Sequence, residues 1–227
     1  NQDYVKENGS GNEMLPYDRI SFSSHAKYGY DNRYFLQFDA SYMSSEQFDP
    51  DHRWGFFPTI SGAWLISNEQ FFKNSSVTNW LTLLKLRASY GKVGNDIISS
   101  SRFLYLDQYS MGGGGMLGNV HSGARVYEGQ IGNPNIQWET TKEQNYGIEI
   151  GLLNCLTLRA DYYYQRTNDI VLQSQLTPDY QGISRNNLPY RNLGETKNQG
   201  IELELMFNKH VNKDLNIAVS GNLSTNK

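Results

Sequence analysis

The sequence predicts an all-β protein, an antiparallel up-and-down sheet of about eight strands that forms a segment of a transmembrane β-barrel. Three observations carry this. First, apolar and polar residues alternate over long stretches, as in Tyr146-Gly147-Ile148-Glu149-Ile150-Gly151-Leu152. A strand sends successive side chains to opposite faces, so a period of two means one apolar and one polar face. Second, the polar face carries charged and bulky residues along whole strands. A soluble sandwich could hold such a face in water; a membrane barrel turns the apolar face to lipid and the polar face to a wet lumen. Third, short connections alternate with long ones (Tyr30–Asn32, Leu153–Cys155 and Asn208–Asp214 against Met43–Arg53, Gly94–Glu139 and Leu172–Arg191), except the Ile66–Leu83 link, which falls on the short side but carries a helical turn. Barrels of the outer membrane are built that way, with the long loops extracellular.

The strands follow in order. The first is expected over Arg19–Tyr28, with Ile20, Phe22, Ala26 and Tyr28 on one face. The second, Arg33–Tyr42, turns Tyr34, Leu36, Phe38, Ala40 and Tyr42 outward. Its end tyrosines stand about 27 Å apart along the strand. At a tilt of about 40° they span roughly 20 Å of depth, close to the spacing of paired aromatic girdles. Pro58 in the third strand, Phe56–Trp64, predicts an irregularity or bulge there. Ser67-Asn68-Glu69-Gln70 reads as a capping box opening a short helical turn over Asn68–Phe72. In the fourth strand Leu84, Leu86, Ala88 and Tyr90 face outward while Lys85, Arg87 and Ser89 face inward. The segment 94–139 reads as one long extracellular loop with Gly112–Gly115 at its tip. Four more strands are expected near Thr140–Leu152, Leu156–Val171, Glu195–Phe207 and Leu215–Ser224. Parity fixes the register of the hairpin between the first two of these. With Leu153–Cys155 as the turn, Glu149 faces Arg159 on the polar side and Tyr146 faces Tyr162 on the apolar side.

Composition narrows the function classes. Hydrophobic residues make up 38% of the 227 positions, and the mean hydropathy is -0.62. No apolar run approaches the ~20 residues of a membrane helix, but a barrel uses only alternate residues and keeps average hydropathy low. The 16 tyrosines suit strands and membrane interfaces alike. A net charge of -3 argues against a nucleic-acid partner. The lone Cys155 cannot form an internal disulfide, and no spacing predicts a metal or cofactor. No apolar targeting segment opens the chain, and its last alternating stretch lacks a partner strand, so the sequence is expected to be a fragment.

Five blocks in order then resemble the SusC/RagA family of TonB-dependent outer-membrane transporters: Arg53-Trp54-Gly55-Phe56-Phe57-Pro58-Thr59-Ile60-Ser61-Gly62-Ala63-Trp64; Leu84-Lys85-Leu86-Arg87-Ala88-Ser89-Tyr90-Gly91 with Gly94-Asn95; Gly132-Asn133-Pro134-Asn135-Ile136-Gln137-Trp138-Glu139-Thr140-Thr141; Asp161-Tyr162-Tyr163-Tyr164 with Thr167-Asn168-Asp169; and Asn192-Leu193-Gly194-Glu195 with Asn198-Gln199-Gly200-Ile201-Glu202. The resemblance implies the C-terminal half of a barrel of about 22 strands, without its plug domain, TonB box or closing strands. It further implies import of oligosaccharides or peptides, not catalysis. The partners would be outer-membrane lipid, a SusD-like surface lipoprotein acting as a lid, and TonB-ExbB-ExbD, reached through the plug. A passive porin or structural barrel and a soluble β-rich glycan-binding domain are the other readings. A plug upstream would set the transporter apart from a porin, and detergent dependence would set both apart from a soluble domain.

The residues expected to line the lumen are Lys85, Arg87, Glu149, Arg159, Asp161, Glu202 and Glu204. Tyr105, Tyr109, Tyr127, Trp138 and Tyr180 lie in or beside the long connections and could stack on sugar rings or pack the loops together. Other patterns carry no chemistry. Gly91-Lys92 lacks both the earlier glycine and the following Ser or Thr of a phosphate loop. Glu202 and Glu204 share one strand face, whereas a glycosidase needs its carboxylates on separate elements. Asp49-Pro50-Asp51-His52 reads as a solvated turn, and Gly112–Gly115 precedes no helix start that could hold an anion.

Overall fold

The computed structural model describes residues 18–98, 102–117, 120–174, 182–210, 212–213 and 215–227. Eight strands form one antiparallel sheet in the order β1-β2-β3-β4-β7-β8-β9-β10. They are β1 (Arg19–Tyr30), β2 (Tyr34–Ser45), β3 (Trp54–Leu65), β4 (Leu81–Asn95), β7 (Glu139–Leu152), β8 (Leu156–Gln173), β9 (Tyr190–His210) and β10 (Asn216–Asn226). Apart from the β4-to-β7 step, every neighbour in the sheet is also a neighbour in sequence, the up-and-down order that the alternation predicts. The strands run further than the sequence suggests, most of all β9, because their outer ends carry the pairing on past the apolar stripe.

Between β4 and β7 lies a separate two-stranded sheet, β5 (Tyr109–Leu117) paired with β6 (Val120–Glu128). This corrects the expectation that 94–139 is one irregular loop. Gly112–Gly115 lies within β5, and the register slips between Gly112 and Gly114 and again between Gly114 and Met116. Gly113 takes a positive φ of 62°, open to glycine at no steric cost. Bulged glycines leave no apolar alternation to read, which is why the hairpin was invisible in the sequence.

The register of the β7–β8 hairpin is the one parity predicts: Leu152 faces Leu156, Glu149 faces Arg159 and Tyr146 faces Tyr162. Leu153 and Asn154 make the turn with φ of 52° and 55°. Pro58 does not create a bulge. It pairs in register with Ala40 of β2, while the ladder between β3 and β4 stops next to it, at Thr59 and Gly91. A residue without an N–H cannot donate to a second neighbour, so the proline ends one ladder and leaves the other intact.

The two strands part beyond that point, and the buried core lies at this end. Phe48, Phe57, Leu104, Ile136, Trp138 and Val171 pack together there. The Trp138 ring lies 5.2 Å from both Phe48 and Phe57, and its Nε1 donates to the Arg53 carbonyl at 3.0 Å. The block containing Asn133 and Trp138 is therefore a clamp on the long connections. Asn133 donates to the Tyr190 carbonyl at 2.7 Å. The Asn192 side chain accepts from Gln137 N at 3.0 Å and donates back to Gln137 O at 2.8 Å.

At the opposite end, a 3₁₀ turn (Ile66–Asn68), a single helical turn α1 (Gln70–Lys73) and a second 3₁₀ turn (Ser76–Asn79) link β3 to β4. The capping box does not form: Ser67 lies inside the 3₁₀ turn, the helix begins only at Gln70, and its N-cap Glu69 makes no side-chain bond to the helix start. Its carboxylate instead accepts from Tyr34 Oη at 2.6 Å, Trp64 Nε1 at 3.1 Å and Arg33 Nη1 at 2.9 Å. Tyr34 and Arg33 come from a strand end distant in sequence, Trp64 from the neighbouring end of β3, and three donors outcompete a local cap.

Candidate functional site

The two faces of the sheet differ in a way that runs against a soluble protein. Along β2 and β3 the pairs Tyr34–Trp64, Leu36–Gly62, Phe38–Ile60 and Tyr42–Phe56 share one face. That face continues through Leu86 and Tyr90, Tyr146 and Ile148, Ala160 and Tyr162, Ile201 and Leu203. It is also the more open one: Leu86 is 39% and Tyr146 51% exposed. On the other face the Glu149 and Asp161 side chains are only 13% and 14% exposed. Their arginine partners Arg87 and Arg159 are 39% and 37% exposed, so one face carries charge paired across strands and the other carries bare aliphatics, an arrangement that lipid solvates and water does not. Aromatic pairs mark both margins of the apolar band, Tyr34 stacked on Trp64 at 6.1 Å and Tyr42 on Trp54 at 4.6 Å.

The seven charged residues expected along the polar face fall into two cross-strand rows. In one, Lys85, Glu149, Arg159 and Glu204 face one another successively across β4, β7, β8 and β9. Arg159 sits at the centre and bonds to Glu149 at 3.2 Å and Glu204 at 3.1 Å. In the other, Arg87, Gly147, Asp161 and Glu202 line up, and Arg87 reaches across β7 to Asp161 at 2.5 Å. The register explains how this is possible. Gly147 stands between the two side chains, and a Cβ there would come within 2.4 Å of both Arg87 Nε and Asp161 Oδ1. No sequence motif marks Gly147; its role exists only once three strands are aligned. A depression of about 720 Å³ on this face is lined by Lys27, Gln37, Lys85, Arg87, Asp161 and Glu202, among others.

The aromatic residues of the long connections do not form one platform. Trp138 is 5% exposed and belongs to the core, so of the two roles expected for it, it packs the connections together and presents no face for stacking on a ring. Tyr105 sits edge-on to Phe103, with ring centroids 6.3 Å apart. Tyr109 pairs with Glu128 and Tyr127 with Ser110, so the two tyrosines project from opposite faces of the β5–β6 hairpin. Tyr180 lies outside the described residues. Asp49–His52 folds as a turn, His52 N donating to Asp49 O at 2.8 Å and Asp51 N to the Asp49 carboxylate at 3.2 Å. Among the described residues no group of three or more acids, histidines or cysteines could hold a metal ion.

An open antiparallel sheet with one apolar face between aromatic margins and one charged face has the build of a membrane β-barrel wall. The chain belongs to the TonB-dependent receptor β-barrel family: the family described as "TonB dependent receptor-like, beta-barrel" matches residues 6–227. It is 31% identical to TonB-dependent receptor P3 of Formosa agariphila over 92% of this chain and 20% of that one. It is also 31% identical to TonB-dependent receptor SusC of Bacteroides thetaiotaomicron, over 91% of this chain and 20% of that one. The RagAB peptide importer in its 'open-open' state superposes with a TM-score of 0.78 at 28% identity, covering 94% of this chain and 22% of that one. The siderophore receptor PirA of Pseudomonas aeruginosa shares the fold alone, with a TM-score of 0.53 at 14% identity. The chain spans about a fifth of the length of the curated relatives it matches. The family is one of transport proteins, not enzymes.

Proposed function

We propose that this chain is wall and outer-loop structure of a SusC-like importer in a bacterial outer membrane, carrying oligosaccharides or peptides inward. The single observation that carries the reading is the division of the two faces: bare apolar residues on one, charges paired across strands on the other. In this reading Lys85, Arg87, Glu149, Arg159, Asp161, Glu202 and Glu204 line the lumen, where a plug would rest against them. TonB-ExbB-ExbD would supply the energy through that plug, and a surface lipoprotein would close the outer mouth. The kinship with SusC and RagAB supports both the importer and the lid. The packed long connections fit a lid as well, since the cluster around Trp138 gives the rim a rigid edge to close against. The test is uptake of labelled oligosaccharides and oligopeptides by cells with and without the full-length protein. Uptake should require the protein and cease when the proton gradient is dissipated. Uptake that survives dissipation would identify a passive barrel instead.

A further inference from the structure

The hairpin between β4 and β7 leaves one edge of its backbone open. It forms a sheet of its own, β5 paired only with β6, so each strand has a side turned away from its partner. The base of the hairpin shows which groups point there. Gly129 N donates to Gln108 O at 2.8 Å and Gln108 N to Gln130 O at 2.8 Å, so Gln108 faces β6. Successive residues of a strand turn their N–H and C=O to opposite sides, and the register runs unbroken from Tyr109 opposite Glu128 to Gly112 opposite Arg125. Ser110 therefore faces β6 as well, while Tyr109 and Met111 turn both main-chain groups away from it. On β6 the matching position is filled, since the Asn187 side chain donates to Glu128 O at 3.0 Å. Among the described residues nothing bonds the N–H or C=O of Tyr109 or Met111.

Proteins blunt such edges with charged side chains, proline or bulges, because an open row of N–H and C=O groups is a template for another chain. The nine residues of β5 contain neither a charge nor a proline, whereas β6 carries His121, Arg125 and Glu128. The glycines of β5 have no side chain to keep a second backbone at a distance. The one blunting device present is the pair of register slips among those glycines, and it leaves the stretch from Tyr109 to Gly112 regular. Beside that stretch lies an apolar, bare face. Tyr109, Met111 and the cross-strand neighbour Val126 share it, and they are 65%, 74% and 63% exposed. Glu128, also exposed, stands on the same face at the base of the hairpin.

We propose that the open edge of β5 captures an extended peptide, which adds to the hairpin as a third strand on its way to the lumen. The inference rests on the importer reading and narrows its two classes of cargo to one. Main-chain groups repeating every second residue complement the alternating donors and acceptors of another main chain; the hydroxyls of an oligosaccharide have no such repeat. An edge reads backbone, so capture is indifferent to most of the peptide's sequence. Preference comes from the neighbouring face, which favours apolar side chains against Tyr109, Met111 and Val126 and a basic one against Glu128. The slips at the glycines keep the new ladder short, so the peptide is held weakly enough to be handed inward. Tyr109 then packs on a peptide side chain and does not serve as a platform for a sugar ring.

The test uses the purified full-length protein and a labelled peptide alternating valine and lysine, either unmethylated, N-methylated at alternate residues, or N-methylated at every residue. Alternate methylation leaves one edge of the peptide intact and should keep affinity within about threefold, whereas full methylation should weaken it by roughly a hundredfold. With the unmethylated peptide bound, amide exchange should slow at Met111 and stay unchanged at Ser110, whose N–H already belongs to the ladder with β6. Met111→Pro removes an outward N–H without touching that ladder and should weaken binding about tenfold. Met111→Leu keeps the donor and should change binding less than about twofold. Equal binding of the unmethylated and fully methylated peptides overturns the proposal, and that comparison needs no variant to fold. Native affinity in Met111→Pro overturns it too; a changed oligomeric state in that variant would then assign the edge to a contact between copies. Failure of the importer reading is a separate result. Energised uptake of labelled oligosaccharide without peptide binding refutes the edge alone, while exchange protection at Met111 without energised uptake of either cargo refutes the importer and leaves the edge.

Discussion

Gly147→Ala should destabilise the barrel, although backbone propensity alone predicts the reverse. Glycine within a strand costs roughly 0.5–1 kcal/mol relative to alanine, so a strand glycine without a packing role is improved by a methyl group. At Gly147 that methyl would lie 2.4 Å from Arg87 Nε and Asp161 Oδ1 and 2.7 Å from Arg87 Cγ. Both side chains must move, and forced shifts of this kind cost about 1–3 kcal/mol. The Arg87–Asp161 pair adds little of its own, because the arginine side chain is 39% exposed and exposed pairs contribute about 0–1 kcal/mol. The net expectation is a loss of about 1–2 kcal/mol.

Urea unfolding of the full-length protein in vesicles, followed by tryptophan fluorescence, measures it. Gly221 supplies the control, since a Cβ there meets nothing within 4 Å; Gly221→Ala should be neutral or stabilising by up to about 1 kcal/mol. A double-mutant cycle isolates the cause. In an Arg87→Ala background the arginine contacts are gone and Asp161 loses the partner that holds it over Gly147, so Gly147→Ala should lose most of its penalty, leaving a coupling of about 1–2 kcal/mol. If Gly147→Ala costs the same with and without Arg87, the bridge over β7 is not what keeps this position a glycine, and the reasoning fails.

Three further outcomes follow from the same geometry. Glu69 is buried among Tyr34 Oη, Trp64 Nε1 and Arg33, and these donors hold its carboxyl below the ordinary carboxylate range despite burial, which pulls the other way. Its contribution is therefore fully present above pH ~4.5 and lost as pH falls through the lowered value. Between pH 7 and 3 the unfolding midpoint should fall more steeply in the native protein than in Glu69→Gln; parallel curves would remove Glu69 from the account. Leu203→Arg should cost about 2–4 kcal/mol if that face meets the lipid interior, while Glu202→Arg one residue away should cost under about 1 kcal/mol, because it would face Asp161. Equal penalties in vesicle unfolding would contradict the assignment of faces. Trp138→Ala should lose about 3–5 kcal/mol of local stability, read as faster hydrogen exchange at Phe48, Leu104 and Ile136 with the rest of the sheet unchanged; exchange that rises evenly across all strands would mean that Trp138 supports the wall instead of the rim.

What the sequence reveals here is what depends on parity. Period two places a residue on a face whatever its neighbours are, so the apolar stripe, the sheltered charges and the β7–β8 register were all legible. What it conceals depends on which strand lies alongside. Ser67-Asn68-Glu69-Gln70 looks like a local capping box, yet Glu69 finds its partners in Tyr34 and Arg33 at the start of β2. Pro58 looks like a bulge because proline breaks ladders, but which ladder breaks is decided by the neighbour that needs the missing N–H. Asn192 carries no signal of its own, and it fastens Gln137 only because β9 and the segment before β7 meet at the rim.

Lys85, Arg87 and Lys92 of β4 show how far this reasoning extends. Along the chain they are three cations within eight residues, with nothing to separate them. Parity divides them, sending Lys85 and Arg87 to one face and Lys92 to the other. Register then decides what each meets: Lys85 stands opposite Glu149, Arg87 spans a glycine to Asp161, and Lys92 stands opposite Lys142. The sheet pairs its cations with carboxylates on the polar face and leaves them opposite one another at the margin of the apolar one. A soluble sheet has no reason to sort charge so unevenly between its faces. A barrel wall does, because a cation on the lipid side costs about 2–4 kcal/mol at mid-depth and little at the margin, so Lys92 is tolerated only past the end of the apolar stripe.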